Sequence, residues 1–335
     1  MSILKPLKGL EEDLEQNARS FFELNYPRFE LIFCVAEKTD AAVGVINRLM
    51  DEYPAIDARI LFGEDLHGVN PKIRNLQKAY DSALFDVVLI SDSNVQVSPD
   101  YLSKLVPLLE GSNVGLVTAP VISSFGSSWV RSLEAFSLST FYARGMVMAS
   151  ACGFPMVMGK SMLFRRSVFS RFGGLRSLGN YLAEDYMAGY AVQQLGLNVV
   201  LNTEALYQSV SHQNMADFWK RHLRWGRMRK VTNPLAFLIE PLGNALPLSL
   251  LGAAGFSGLF HFPFFSIFGL LLTGFFLQDM ILTARLHKTI PWNFAILWLI
   301  RETLTPLLWF HTLWGRSVSW KGQDLKLQAG GLVSK

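Results

Sequence analysis

Three acidic positions and one basic-aromatic cluster carry side chains able to do chemistry. Asp92 follows the run Val87-Val88-Leu89-Ile90 and sits in the oxygen-rich stretch Ser91-Asp92-Ser93-Asn94. A carboxylate leaving a buried strand could hold magnesium or manganese beside a diphosphate, because those ions take oxygen ligands and share substrate phosphates. The same four residues also suit a plain turn after a strand. Glu184-Asp185 lies at the start of a helical stretch. A carboxylate there could accept the proton of a hydroxyl and so activate a poor nucleophile, or simply favour the helix N-terminus. Asp40 follows the strand-like Phe33-Cys34-Val35-Ala36, at the edge where doubly wound sheets bind ligands. It could accept hydrogen bonds from a base or ribose, and it could equally cap the helix that follows. In Arg221-His222-Leu223-Arg224-Trp225 the two arginines are three apart and share a helix face. Arg224 could neutralise a leaving diphosphate, and Trp225 offers a flat surface for a sugar or an acyl-linked head. A basic anchor beside a membrane explains the same run.

Alternating strands and helices would have to position these groups. Ser2 to Pro6 reads as a strand, Phe29 to Ala36 as a second, and Ala42 to Tyr53 as a helix with Val43, Ile46, Leu49, Met50 and Tyr53 on one face. Ile60 to Phe62 is a short strand. Asn70-Pro71 then gives a helix cap followed by proline at the first helical position. The apolar run from Asp86 to Ser91 suits a central strand buried on both faces. A helix from Tyr101 to Leu109 and a strand from Val114 to Thr118 continue the alternation. Beyond them come a helical stretch from Trp129 to Ser150, a strand from Val157 to Phe164, a helix from Asp185 to Leu195 and a strand from Val199 to Leu201. The pattern predicts an α/β sheet with helices on both faces.

The chain has 335 residues, half of them hydrophobic, and the apolar residues are unevenly spread. Residues 1–231 mix charge and apolar character as a catalytic domain does. Residues 232–318 hold three apolar segments, Ala236–Leu259, Phe262–Ala284 and Trp292–Trp314, and residues 319–335 form a tail. Each segment is about long enough to cross a ~30 Å hydrocarbon core. Glu240, Asp279, Arg301 and Glu302 interrupt them, which leaves re-entrant or interfacial helices as the other arrangement, since unpaired charges at depth cost several kcal/mol. A net charge of +4 is too modest for nucleic acid. The basic residues bunch at Lys220, Arg221, Arg224, Arg227, Arg229 and Lys230, and such a cluster favours the cytoplasmic face and anionic lipids. Cys34 lies in an apolar run and needs no disulfide, and the six histidines show no zinc spacing.

The order Asp40, Asp92, Asp185 and Arg-x-x-Arg-Trp resembles the D, D, D, (Q/R)xxRW signature of inverting glycosyltransferases of the GT-A type. The runs Leu4-Lys5-Pro6-Leu7-Lys8-Gly9, Phe21-Phe22-Glu23-Leu24, Asn70-Pro71-Lys72-Ile73, Ile300-Arg301-Glu302 and Ser319-Trp320 look like the ceramide glucosyltransferases, glycosyltransferase family 21. The likeness spans Ser2 to Gly331. It implies a GT-A-type nucleotide-sugar-binding domain with a C-terminal helical membrane region. It also implies transfer of a hexose, most often glucose, from a UDP-sugar to the primary hydroxyl of ceramide with inversion.

By that resemblance Asp185 is the catalytic base and Asp92 binds a divalent metal, magnesium or manganese, with the diphosphate. Asp40, Lys72, Asn75, Arg221 and Arg224 contact the donor, while Trp225 and Glu184 face the acceptor. Lys72 and Asn75 match the family's Lys-x-x-Asn-Leu run, although Lys72 also suits a solvated helix face. The membrane is the expected partner, with the catalytic part on the cytoplasmic side of the inner membrane in a bacterium or of the Golgi or ER in a eukaryote. Family members carry a membrane segment ahead of the Lys-Pro-Leu-Lys-Gly run, where this chain begins. Eukaryotic-type members carry a cysteine and a histidine in the stretch matching Tyr142 to Met156, where this chain has only Cys152. The alternatives are a bacterial enzyme acting on diacylglycerol, phosphatidic acid or a hopanoid-pathway lipid, and a non-catalytic lipid-binding membrane scaffold. Processive polysaccharide synthesis would need more membrane crossings than the tail offers.

Overall fold

A computed structural model describes residues 1–126, 128–210, 214–320 and 323–334. Residues 321, 322 and 335 of the predicted tail therefore lie outside the described part. The chain divides into two compact units. The first comprises Met1–Ile122, Met146–Ser211 and Leu332–Lys335, and the second comprises Ser123–Gly145 and His212–Gly331.

In the first unit the elements run β1 (Ser2–Leu7), α1 (Leu14–Phe22), β2 (Glu30–Val35), α2 (Ala42–Glu52), β3 (Ala58–Phe62), α3 (Pro71–Ser82), β4 (Val87–Ile90), β5 (Val95–Gln96), α4 (Tyr101–Leu105), β6 (Val114–Thr118) and β7 (Val121–Ile122). Seven strands form one sheet in the order β3-β2-β1-β4-β8-β6-β9, where β8 is Met162–Arg165 and β9 is Asn198–Leu201. All neighbours are parallel except β8, which runs antiparallel to both β4 and β6.

Alternate residues of each strand supply opposite faces, as the pleat requires. Ile3, Leu7, Leu31, Phe33 and Val35 join α1, α2 and α4 through Phe21, Ile46, Leu49 and Leu102. Leu4, Ile32, Cys34, Val88 and Ile90 join α3 through Ile73, Leu76 and Ala79, and join α8 (Glu184–Gln194) through Ala188 and Val192. The predicted layering of helices on both faces is present, with an antiparallel strand inserted into an otherwise parallel sheet. That inversion is not visible in local periodicity.

Two expected elements are shorter. The strand expected from Val157 begins only at Met162, because Gly159 and Lys160 form a turn before it. The helix from Tyr101 is α-helical only to Leu105 and tightens to a 3₁₀ turn, Val106–Glu110, around Pro107, whose nitrogen can donate no hydrogen bond. A helix over Leu14–Phe22 was not expected. Its Leu14, Ala18, Phe21 and Phe22 are buried while its outer face is charged.

The second unit is helical. α5 (Trp129–Ser137) passes through a wide π-turn, Leu138–Tyr142, into α6 (Ala143–Ala151), whose later part belongs to the first unit. There follow α9 (Met215–Thr232), α10 (Pro234–Ile239), α11 (Ala245–Phe260), α12 (Phe264–His287) and α13 (Phe294–Leu313). Val130, Leu133 and Phe136 pack with Phe218, Ala245, Phe294, Leu297 and Trp298.

The three predicted apolar segments differ from one another. Among the described residues α12 is the one helix long and apolar enough to cross a membrane. The first segment is broken, since Pro234–Gly243 and Ala245–Phe260 meet at a bend of 78°. Asn244 is extended at the break, just after Pro241. The third, α13, contains Pro306 and the buried pair Arg301-Glu302. The interrupting charges are paired. Asp279 meets Arg144 at 2.7 Å, Arg301 at 2.8 Å and the Trp298 indole at 3.0 Å. Arg301 also bonds Glu302, and it donates to Thr140 on the π-turn at 2.6 Å.

Helix α9 rests directly on α13. A side chain at Gly226 would meet Thr312 Oγ1 at 2.7 Å, and Lys230 donates to the carbonyls of Thr312, Leu313 and Gly315 at the end of α13.

Candidate active site

The chemistry-bearing residues of the first unit gather around one ammonium. Asn70 caps α3, accepting from the Lys72 and Ile73 amides at 2.8 and 3.3 Å. Its own amide donates to Tyr181 O at 2.7 Å and Glu184 Oε2 at 3.1 Å, tying the start of α3 to the start of α8. Lys72, in that first turn, reaches Asp92 Oδ1 at 2.7 Å, Glu184 Oε1 at 3.0 Å and Gly159 O at 2.9 Å. Two predicted site residues from distant parts of the sequence thus share the counter-ion supplied by a third.

Asp92 stands at the end of β4, as expected, and takes more than Lys72. Lys160 lies 3.4 Å from its Oδ2 and 2.7 Å from Asn94 Oδ1. Lys5, fully buried on β1, donates to the Asp92 carbonyl at 2.9 Å and packs its ammonium over the Phe21 ring. Burial alone would push the Asp92 carboxyl up, but Lys72 and Lys160 override it and bring it down to about 2. Burial pulls the Lys5 ammonium down to about 7 against the pull of Asp92.

Asp185 begins α8 beside Glu184. Its Oδ2 accepts from the Gly159 amide at 2.8 Å and its Oδ1 from the Tyr186 amide at 2.8 Å. Burial, then repulsion from Glu184, push its carboxyl up to about 6 against the opposing charge of Lys72. That value suits a proton acceptor working near neutrality.

The other two predicted donor residues hold loops together. Asp40 accepts from the Gly9 amide with both oxygens, at 3.0 and 2.8 Å, and from the Ala42 amide at 2.9 Å. Gly9 has φ +70°, a conformation that suits glycine. Asn75 is buried and donates to Cys34 O at 2.9 Å and Leu7 O at 3.3 Å, pinning the ends of β1 and β2.

Arg221, Arg224 and Trp225 belong to the second unit, on α9. The Arg221 guanidinium covers the Trp225 ring at 4.6 Å and lies 3.3 Å from the fully buried Glu134. His222 Nε2 meets Glu134 at 2.6 Å, while its Nδ1 meets the Tyr142 hydroxyl at 2.7 Å. Burial, then Arg221, lower the Arg224 guanidinium to about 10.

Sequence reasoning missed Lys160, Lys5 and the Glu134-His222-Tyr142 chain. Lys160 was hidden inside an expected strand, although a glycine before it signals a break. Glu134 lies within a helix without any motif of its own.

The family model described as "Glycosyl transferase family 21" matches residues 1–333. The chain belongs to glycosyl transferase family 21. Among curated relatives of this family member, "Ceramide glucosyltransferase 1" of Caenorhabditis elegans is 29% identical over 338 residues, covering 99% of this chain and 72% of the relative. The ceramide glucosyltransferase of Komagataella phaffii (strain GS115) is 27% identical, with 98% of this chain and 82% of the relative covered. Of solved structures, the mannosyltransferase PcManGT from Pyrobaculum calidifontis, in complex with GDP-Man and Mn2+, aligns with a TM-score of 0.56 at 16% identity, covering 93% of this chain and 86% of that one. The glycosyltransferase therefore has the GT-A-type fold expected from its sequence.

Among the described residues no group of three or more histidine, cysteine or acidic side chains is gathered to cage a divalent ion. Asp92 offers one carboxylate beside the Asn94 amide oxygen. That donor set fits an ion that takes most of its ligands from diphosphate and water, as magnesium does.

Proposed function

We propose that this family member moves glucose from UDP-glucose to the primary hydroxyl of ceramide in a single inverting displacement. The observation carrying this reading is the cluster in which Lys72 bridges Asp92 and Glu184 next to Asp185, whose carboxyl is raised to about 6. The ceramide-specific names of its relatives support the acceptor.

Asp185 accepts the proton of the acceptor hydroxyl as oxygen attacks the anomeric carbon, and the bond from that carbon to the UDP oxygen breaks on the opposite face. Negative charge grows on the departing diphosphate. Lys72 would meet it, since fixed charges aimed at developing charge lower the barrier. Asp92 would hold a divalent ion. When bound, such an ion supplies Lewis-acid stabilisation of the leaving phosphate. Glu184, held by Asn70 and Lys72, keeps a negative group beside Asp185 and so keeps it basic. Asp40 and Asn75 fix the loops bordering the donor site. Membrane attachment through α12, with the basic cluster on the cytoplasmic side, would bring lipid and UDP-sugar to one enzyme.

The test is transfer from radiolabelled UDP-glucose by the purified full chain in mixed micelles. Ceramide and diacylglycerol are offered separately and products resolved by thin-layer chromatography. A product with ceramide is expected, and product with diacylglycerol alone would overturn the acceptor.

A further inference from the structure

We propose that Lys5 is a positioning residue for the donor: its buried ammonium holds the Asp92 peptide where the Asp92 carboxylate serves a nucleoside diphosphate. This rests on the reading that a nucleoside diphosphate binds at Asp92, and it adds a residue that acts through Asp92 without touching the donor.

The sheet lets go of the chain just before Asp92. The β1–β4 register ends at Leu4 and Ile90, and the Ser91 amide then donates to Leu4 O at 3.0 Å. Pro6 follows on β1, and a proline has no N–H with which to carry the ladder on. Asp92 thus stands past the paired register, where its peptide needs another hold. The Lys5 side chain supplies one, donating to the Asp92 carbonyl at 2.9 Å. The bond is made to the main chain, so it leaves both carboxylate oxygens to face the site. Lys72 meets one of them at 2.7 Å, and the residue is held at its backbone and its side chain independently.

Packing by itself does not ask for a lysine here. Lys5 lies on β1 between β2 and β4 and is fully buried, as are Ile3, Leu4 and Leu7 of the same strand. Its ammonium sits 3.5 Å from the centre of the Phe21 ring, inside the layer that the strand shares with α1. Taking an ammonium out of water is costly, and an apolar side chain of similar volume in such a place is often neutral or stabilising. What the lysine has and a methionine lacks is the donor that reaches the Asp92 carbonyl. Residues that orient a binding group from behind are needed for affinity although they never meet the ligand. A fully buried donor also has the advantage that solvent and an incoming diphosphate cannot displace it from the carbonyl.

The experiment measures binding and stability on the same samples. UDP is titrated by calorimetry into the purified full chain in detergent, in EDTA and in manganese, for wild type, Lys5→Met, Lys5→Leu and Asp92→Asn. Thermal unfolding is followed for each. Both Lys5 variants should melt at or above the wild-type temperature and yet bind UDP in manganese about tenfold or more weakly. If Lys5 serves the core alone, its variants melt earlier or do not fold, and whatever folds binds UDP as wild type does; either result overturns the proposal. Wild-type protein that does not bind UDP would overturn the donor site itself. UDP binding weakened by Asp92→Asn but by neither Lys5 variant would overturn this inference and leave the donor site standing.

Discussion

The ammonium of Lys72, at the start of α3, lies 2.7 Å from Asp92, just past the end of the following strand β4. The pairing explains why the Asp92 carboxyl falls to about 2 in spite of its burial. Its contribution to stability is full above the ordinary carboxylate value near 4 and is lost as pH falls through about 2. Lys72→Met leaves Asp92 and Glu184 without their common partner. We expect a loss of about 3 kcal/mol at pH 7, read as a lower unfolding midpoint, and transfer reduced by at least about a hundredfold. Wild-type stability in this variant would contradict the bridging role.

Asp185 must be ionised to take a proton. With its carboxyl raised to about 6, about a tenth is ionised at pH 5, so kcat/KM should climb with pH and level off above about 7. Ionisation of the same group costs stability as pH rises from about 4 to 6, because the folded state holds the proton more tightly than the unfolded chain. Asp185→Asn should remove the acidic limb and lower transfer about a thousandfold, with nucleotide affinity by calorimetry kept within about threefold. A variant retaining a limb near 6 would show that another group titrates.

Gly159→Ala tests how tightly the turn is set against Asp185. The added methyl would lie 3.0 Å from Asp185 Oδ2 and 3.1 Å from Lys72 Nζ. Both contacts are side-chain atoms, so the fold can absorb it while the site cannot keep its geometry. A roughly tenfold fall in kcat is the expected outcome, with a melting temperature close to wild type.

In the second unit Glu134→Ala removes the partner of both His222 and Arg221. Leaving both without their carboxylate should cost about 3 kcal/mol. Trp225, which stacks under Arg221, should report the change as a shift in tryptophan fluorescence. Glu134→Gln keeps a hydrogen-bond acceptor and should lose less.

Much of the first unit was legible because its strands and helices are strongly patterned. The Asn70-Pro71 helix start and the emergence of Asp92 from β4 are where periodicity and capping rules put them. What escaped was non-local. Nothing near β8 states that it enters the sheet antiparallel, and nothing near Lys160 states that Asn94 and Asp92 lie beside it. Charges in the apolar tail looked like obstacles to crossing a membrane. Their partners explain them, for Arg144 meets Asp279 from 135 residues away, a pairing that no window of sequence contains. Asp40 was readable as a carboxylate beyond a strand end and Asn75 only through the family's Lys-x-x-Asn-Leu run, but sequence could not say that their hydrogen bonds are spent on backbone.

Gly226 and Lys230 clamp α9 to the end of α13 by bare backbone contact and a triple carbonyl grip. The helix bearing Arg221 and Trp225 therefore cannot rock by itself. Any movement of α13 would carry those two side chains with it, and a methyl at position 226, meeting Thr312 Oγ1 at 2.7 Å, would push the two helices apart.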